Sequence, residues 1–351
     1  MENYLEGGNK KQEEIRNFSI NRNKKGFQEN NKETDNHIKN LLYDIELLET
    51  VGNGSESKVF KGLIKGSNKN VSVKSIFTKK GHSKNTNEIN ISNKLKNQNI
   101  INLYGVKDLK DEKIDYLMIM EHGSQGNLKI FKKKVLKRDY LSESFLCYVT
   151  YQILNALKYC HMNKVAHFDI KPQNIVIDDY INVKLIDFSI ALDYREQYLN
   201  NKKIDLDYRG TPLFMAPEII SSKTIKAKDL NKVDLFSLGV TLYHEAFGVY
   251  PFGLTHEDSK KKEIIYQKIM GGLKIDNTDF EFSNHFIDFL KKLLETDINK
   301  RININEALNH YWVQGAIILN KEKEKIYNAS SFLSYLITDH FKSFDDYMKK
   351  E

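Results

Sequence analysis

From Tyr43 onward, apolar residues alternate with polar ones in short runs broken by Gly, Asn and Ser, which is the period of half-buried strands. The runs predict antiparallel strands over 45–51, 58–64, 70–76, 103–108 and 115–121, with one helix interrupting them around 84–97. After Ser124-Gln125-Gly126 the period becomes helical, and a long apolar helix is expected from Glu143 to Met162. Short strands are expected near 174–177 and 183–186, and helical patterns then dominate to Trp312. Beyond it, Leu333, Ile337, Phe341, Phe344 and Met348 recur at helical spacing and predict a tail helix packed on the preceding ones. Residues 1–42 are rich in Asn, Lys, Glu and Gln with few apolar anchors. They cannot bury enough surface to offset the entropy of ordering, so disorder is expected there.

Composition narrows the function classes. The chain has 351 residues, 40% of them hydrophobic, enough for a sizeable core. Its net charge is +7, but the lysines are spread rather than clustered with aromatic platforms, which argues against a nucleic-acid partner. Cys147 and Cys160 both fall in an apolar helical stretch, a usage that fits a reducing compartment better than a disulfide framework. No apolar run approaches the ~18 residues of a membrane span, and the first residues are polar, so neither a span nor a signal peptide is expected. The expected location is cytoplasmic, with the nucleus left open, and a monomer is assumed.

The chemistry is concentrated in three ordered motifs. His167-Phe168-Asp169-Ile170-Lys171-Pro172-Gln173-Asn174 is followed by Asp187-Phe188-Ser189 and then by Ala216-Pro217-Glu218. Together they supply a carboxylate to receive a hydroxyl proton, a lysine for a transferring phosphate, and an Asn and an Asp as hard oxygen ligands. Two loop turns rich in Asp and Asn would be the bland alternative, but they do not call for His167, Pro172 and Phe188 in those places. The set resembles the eukaryotic protein kinase family, over roughly Asp44 to Val313. That resemblance implies an α+β, bilobal fold. A small lobe (43–122) carries an antiparallel sheet and one key helix, a larger mainly helical lobe spans 123–313, and a helical tail covers 314–351. It also implies ATP-dependent transfer to Ser/Thr hydroxyls of protein substrates with Mg²⁺, or Mn²⁺ in its place. Lys171 in its position resembles Ser/Thr rather than tyrosine kinases.

Carried onto this chain, the resemblance makes Asp169 the base that accepts or orients the substrate hydroxyl and Lys171 the cation on the transferring group. Asn174 and Asp187 become the metal ligands. Val51, Gly52 and Gly54 match a phosphate-binding loop whose third glycine is replaced by Ser57; in isolation an ordinary hairpin turn would read the same. Lys74 would contact the α- and β-phosphates and pair with Glu88. Met120 would stand behind the adenine, backbone groups of Glu121 and Gly123 would bond its edge, and Val59, Ser72 and Val176 would sandwich the ring. Thr211 would tether Asp169 and Lys171, Glu218 would pair with Arg301, and Asp234 would accept backbone hydrogen bonds from the loop around Asp169.

Several residues depart from the family pattern. Phe168 stands where regulated kinases carry an Arg that binds a phosphate, and no Ser or Thr lies between Ser189 and Thr211, only Tyr194, Tyr198 and Tyr208. Activity without activation-loop Ser/Thr phosphorylation is therefore expected. Ser72 replaces an alanine in the apolar roof and should weaken nucleotide affinity somewhat. Ser92 replaces an apolar member of a stack with Leu103, Phe188 and His167, and Ser189 replaces a glycine. With Ser57 and Phe168 these departures support a competing reading, a catalytically weak pseudokinase that acts as a nucleotide-binding scaffold. Asn127 and Gln173 are neutral amides where kinases selective for an upstream Arg carry acids, while Glu245 remains as a reader for one basic residue.

Overall fold

The computed structural model describes residues 44–53, 57–77, 86–109, 114–221, 224–275, 282–326 and 328–337. They form an α+β fold in two compact units. The first takes the described residues up to Asn93 together with Ile101–Ser124; the second takes Lys94–Ile100 and the described residues from Gln125 onward.

The first unit is built on a five-stranded antiparallel sheet of order β1-β2-β3-β5-β4, formed by β1 (Ile45–Asn53), β2 (Ser57–Ile64), β3 (Asn70–Phe77), β4 (Leu103–Asp108) and β5 (Ile114–Glu121). Alternation sets its two faces. Phe60 pairs with Val73 and Val73 with Ile119, and this face buries a core of Ile45, Leu47, Phe60, Val71, Val73 and Leu117. On the opposite face Gly52 pairs with Val59, Val59 with Lys74 and Lys74 with Met118, while Ser72 pairs with Met120. Helix α1 (Asn87–Lys94) packs Ile89 against Leu103, Met118 and Ile76 on that second face. It stops short of the expected 97. Asn97 instead closes a turn, its side chain accepting from the Asn99 N–H and its carbonyl from the Ile100 N–H.

The second unit is mainly helical. Helix α2 (Glu143–Met162) and α3 (Lys232–Phe247) are apolar nearly all round and buried, as core helices must be. Short antiparallel pairs punctuate them: β6 (Val165–Ala166) with β9 (Leu192–Asp193), β7 (Ile175–Ile177) with β8 (Val183–Leu185), and β10 (Lys203–Ile204) with β11 (Ile225–Lys226). Beyond α4 (Asn284–Leu293), α5 (Tyr311–Lys325) and α6 (Ala329–Ile337) pack on α2. The Trp312 indole N–H donates to buried Glu143 at 2.8 Å, and Phe332 meets Tyr148 edge-on at 5.2 Å. The buried face of α6 is Phe332, Leu333 and Leu336 rather than the expected Leu333 and Ile337; Phe341, Phe344 and Met348 lie outside the described residues. Among the described residues no helix is long and apolar enough to cross a membrane.

Candidate functional site

Five of the expected nucleotide-contacting residues of the first unit share one sheet face. Gly52, Val59, Ser72, Lys74 and Met120 fall on it by strand register, not by proximity in sequence. Val51 lies at a register shift of β1 and is exposed, and Gly54 lies outside the described residues. Because α1 packs on this same face, its first turn brings Glu88 to Lys74. The ammonium donates to Glu88 Oε1 at 2.6 Å, and both residues are buried. A buried cation so held is fixed in place, unlike a surface pair.

Ser72, expected as a small polar intrusion in the apolar roof, has a hydrogen-bond partner. Its hydroxyl lies 2.9 Å from His122 Nδ1, just past β5, so the group is hydrogen-bonded within its own unit. At the end of β5 the Glu121 N–H is already donated to the Asn102 carbonyl at 2.8 Å, so Glu121 has no N–H to offer a ligand. Gly123 follows in irregular backbone. Met120 is partly buried against Ile89, Leu103 and Met118.

In the second unit the β7–β8 pairing aligns Ile175 with Leu185, which sets Asn174 and Asp187 at neighbouring ends of a hairpin. Pro172 opens the single 3₁₀ turn that leads into Asn174. The Asp169 carboxylate is buried among donors: Oδ1 accepts from the Thr211 N–H at 3.1 Å and hydroxyl at 2.6 Å, and Oδ2 from the Asn174 amide at 2.9 Å. Lys171 Nζ lies 2.6 Å from Asp169 Oδ2 and donates to the Thr211 hydroxyl at 2.7 Å. The Asn174 amide also donates to the Asp169 carbonyl at 2.8 Å. With its nitrogen so engaged, what Asn174 retains for a cation is its carbonyl oxygen.

The loop around Asp169 is fixed from beneath. Asp234, fully buried at the start of α3, accepts the backbone N–H groups of His167 at 3.0 Å and Phe168 at 2.8 Å, and lies 2.9 Å from His161 Nε2. Burial alone would raise its pKa, but the hydrogen bond and charge of His161, with the His167 N–H, hold it below the usual carboxylate range. The Asp169 N–H lies 3.2 Å from His167 Nδ1, whose Nε2 faces the Ile186 carbonyl at 2.9 Å. Those partners select the tautomer protonated at Nε2. The His167 ring meets Phe188 edge-on at 4.9 Å.

Phe168 and Asp187 have φ of 67° and 68°, in the left-handed region that costs a non-glycine residue roughly 1–2 kcal/mol. Ser189 has no such φ, so its Cβ meets no penalty where the family pattern has glycine. Glu218 and Arg301 form the expected buried pair, bidentate at 2.6 and 2.9 Å. Val176 is buried on β7.

Some contacts were not foreseen. Glu245 is fully buried, with Lys132 Nζ at 2.8 Å and His244 Nδ1 at 2.9 Å, so it cannot serve as the expected reader of a substrate cation. Asn127 spends its side-chain oxygen capping a helical turn, accepting from the Ile130 N–H at 3.0 Å. Arg209 lies over the buried Phe168 ring, 5.4 Å from its centroid. The pairings of Glu245 with Lys132 and of Arg209 with Phe168 join residues far apart in sequence, and no local pattern announces them.

The donor set of Asn174 and Asp187 consists of oxygens, and no group of three His, Cys, Asp or Glu that could hold a metal ion occurs among the described residues. Oxygen donors suit a hard cation better than a soft-ligand metal.

Comparison with known proteins agrees with this geometry. The protein kinase domain model matches residues 45–313. A probable serine/threonine-protein kinase, fhkA, of Dictyostelium discoideum is 28% identical over 306 residues, 78% of this chain and 50% of that protein. NUAK family SNF1-like kinase 1 of Homo sapiens is 31% identical, covering 79% of this chain and 39% of its own length. Serine/threonine-protein kinase ULK3 of Xenopus laevis is 32% identical, covering 78% and 56%. The chain thus spans about half or less of the length of such relatives.

Proposed function

We propose that this chain, which belongs to the protein kinase domain family, transfers the γ-phosphoryl group of ATP to serine and threonine hydroxyls of protein substrates. The observation that carries the reading is the Asp169 carboxylate, held in one orientation by Thr211, Asn174 and Lys171. A carboxylate so fixed can accept or orient the proton of an incoming hydroxyl without reorganising. Lys171, bridging Asp169 and Thr211, places a cation where negative charge moves between oxygens. Lys74, fixed by Glu88, neutralises the non-transferred phosphates. Asn174 and Asp187 would hold Mg²⁺, which when bound neutralises phosphate charge.

Activity without phosphate on the segment between Ser189 and Thr211 is part of the same proposal. It is supported by the burial of Phe168, an apolar ring that cannot bind phosphate, and by the absence of Ser and Thr from that segment.

The test is incubation with ATP labelled at the γ-position and a mixed protein substrate, followed by acid hydrolysis. Label should appear on phosphoserine and phosphothreonine. Label confined to phosphotyrosine, or no label, would count against the proposal.

A further inference from the structure

The stretch from Lys203 to Thr211 reaches Asp169 through several separate fastenings. Lys203 and Ile204 of β10 pair with Lys226 and Ile225 of β11, and beside that ladder the Thr224 hydroxyl donates to Asp205 at 2.8 Å. Ile204 and Leu206 enter an apolar cluster with Phe168, Tyr194 and Leu213. Gly210 has φ of 113° and runs against the loop: a Cβ placed there would stand 2.6 Å from the Phe168 carbonyl oxygen. The next residue, Thr211, gives Asp169 both its N–H and its hydroxyl. Arg209, immediately before this crossing, lies over the Phe168 ring and is also paired with Asp207 at 2.9 Å. Phe168 is therefore touched by the segment at both ring and carbonyl, while Asp234 holds its N–H. A ring face attracts a cation through its quadrupole, and the guanidinium is the side chain best shaped to lie flat on it.

We infer that Phe168 and Arg209 are positioning residues: their cation–ring contact, closed at Gly210, seats Thr211 on Asp169 and keeps the segment in place without phosphorylation. The inference rests on the kinase reading for its catalytic consequence, but its structural half stands apart from activity and can be measured apart from it. Asp169 and Thr211 do the seating; Phe168 and Arg209 act only through them.

The experiment uses the full chain with Arg209→Met, Phe168→Leu, the double variant, and Arg209→Lys as the conservative control. Two quantities are read, hydrogen exchange at the Thr211 amide and steady-state kcat and KM with ATP and a generic protein substrate. Each single change should speed exchange at Thr211 by about 2- to 5-fold, the range of one partly exposed cation–π contact, while amides of α3 stay unchanged. Either change should lower kcat by a similar factor with KM within about 2-fold, because only the seating of Asp169 is altered. The double variant should be no worse than the worse single, and Arg209→Lys should keep most of the effect of the native pair. Multiplying losses in the double variant, or unchanged exchange at Thr211 in Arg209→Met, would overturn the inference. Arg209 is only partly buried, so its variant tests the contact even if Phe168→Leu does not fold. A wild-type protein that shows the exchange pattern but transfers no phosphate would sink the kinase reading and leave this one intact.

Discussion

Replacing Arg301 by Met should destabilise the second unit severely, and the size of the effect can be worked from its contacts. The Arg301 side chain is fully buried and Glu218 nearly so. Its guanidinium makes two bonds to Glu218, one to the Lys232 carbonyl at 3.0 Å and one to the Glu295 carbonyl at 2.8 Å, and lies 4.9 Å from the centre of the Phe236 ring. Met keeps the volume of the stem but strands a buried carboxylate, which costs about 3–5 kcal/mol. The two carbonyls left without this donor add to that figure unless water reaches them. For a unit of this size the loss corresponds to a fall in Tm of roughly 6–20 °C. Trp312, the single tryptophan, is fully buried in the same unit, so its fluorescence during urea unfolding reads the transition directly. If Arg301→Met is too unstable to purify, Arg301→Lys keeps the charge, loses the fork, and should fall between the two. Adding Glu218→Gln to Arg301→Met removes the stranded charge and should recover part of the loss. A cost below about 1 kcal/mol for Arg301→Met, or a double variant as unstable as the two single costs added together, would refute this reasoning.

Two further outcomes are expected. Phosphatase-treated protein should be as active as untreated protein, since Phe168 offers no phosphate receptor; a large loss mapped to Thr211 or to Tyr194, Tyr198 or Tyr208 would contradict this. Peptide arrays should show little selection for Arg three residues before the acceptor, because Asn127 and Gln173 are neutral and Glu245 is buried with Lys132. Asn127→Glu with Gln173→Glu should introduce that selection, at a small stability cost from the lost cap at Ile130.

The five strands of the first sheet were legible as short runs of alternating apolar and polar residues, but their order, with β5 rather than β4 beside β3, was not. The loop from His167 to Asn174 was legible for a different reason: its working groups lie within a few residues, so Asn174 reaching Asp169 is a local event. What the sequence hid is of two kinds. The pairs β6–β9 and β10–β11 are two residues long and carry no period. The contacts of Ser72 with His122, Lys132 with Glu245 and Arg209 with Phe168 join positions 50, 113 and 41 residues apart by numbering, and only tertiary packing brings them together. Glu245 was expected to read a substrate cation from its place in the pattern, and its burial with Lys132, which decides what it does, could not be seen there.

The most direct measurement is transfer of labelled γ-phosphate to a generic protein substrate by wild-type protein beside Asp187→Asn. That change leaves a side chain of nearly the same shape and removes the charge proposed to hold the metal, so folding, followed through Trp312, should be unchanged. Wild-type protein should incorporate label and Asp187→Asn should incorporate essentially none. Equal turnover by the two, or no transfer by wild-type protein under Mg²⁺ or Mn²⁺, would contradict the assignment.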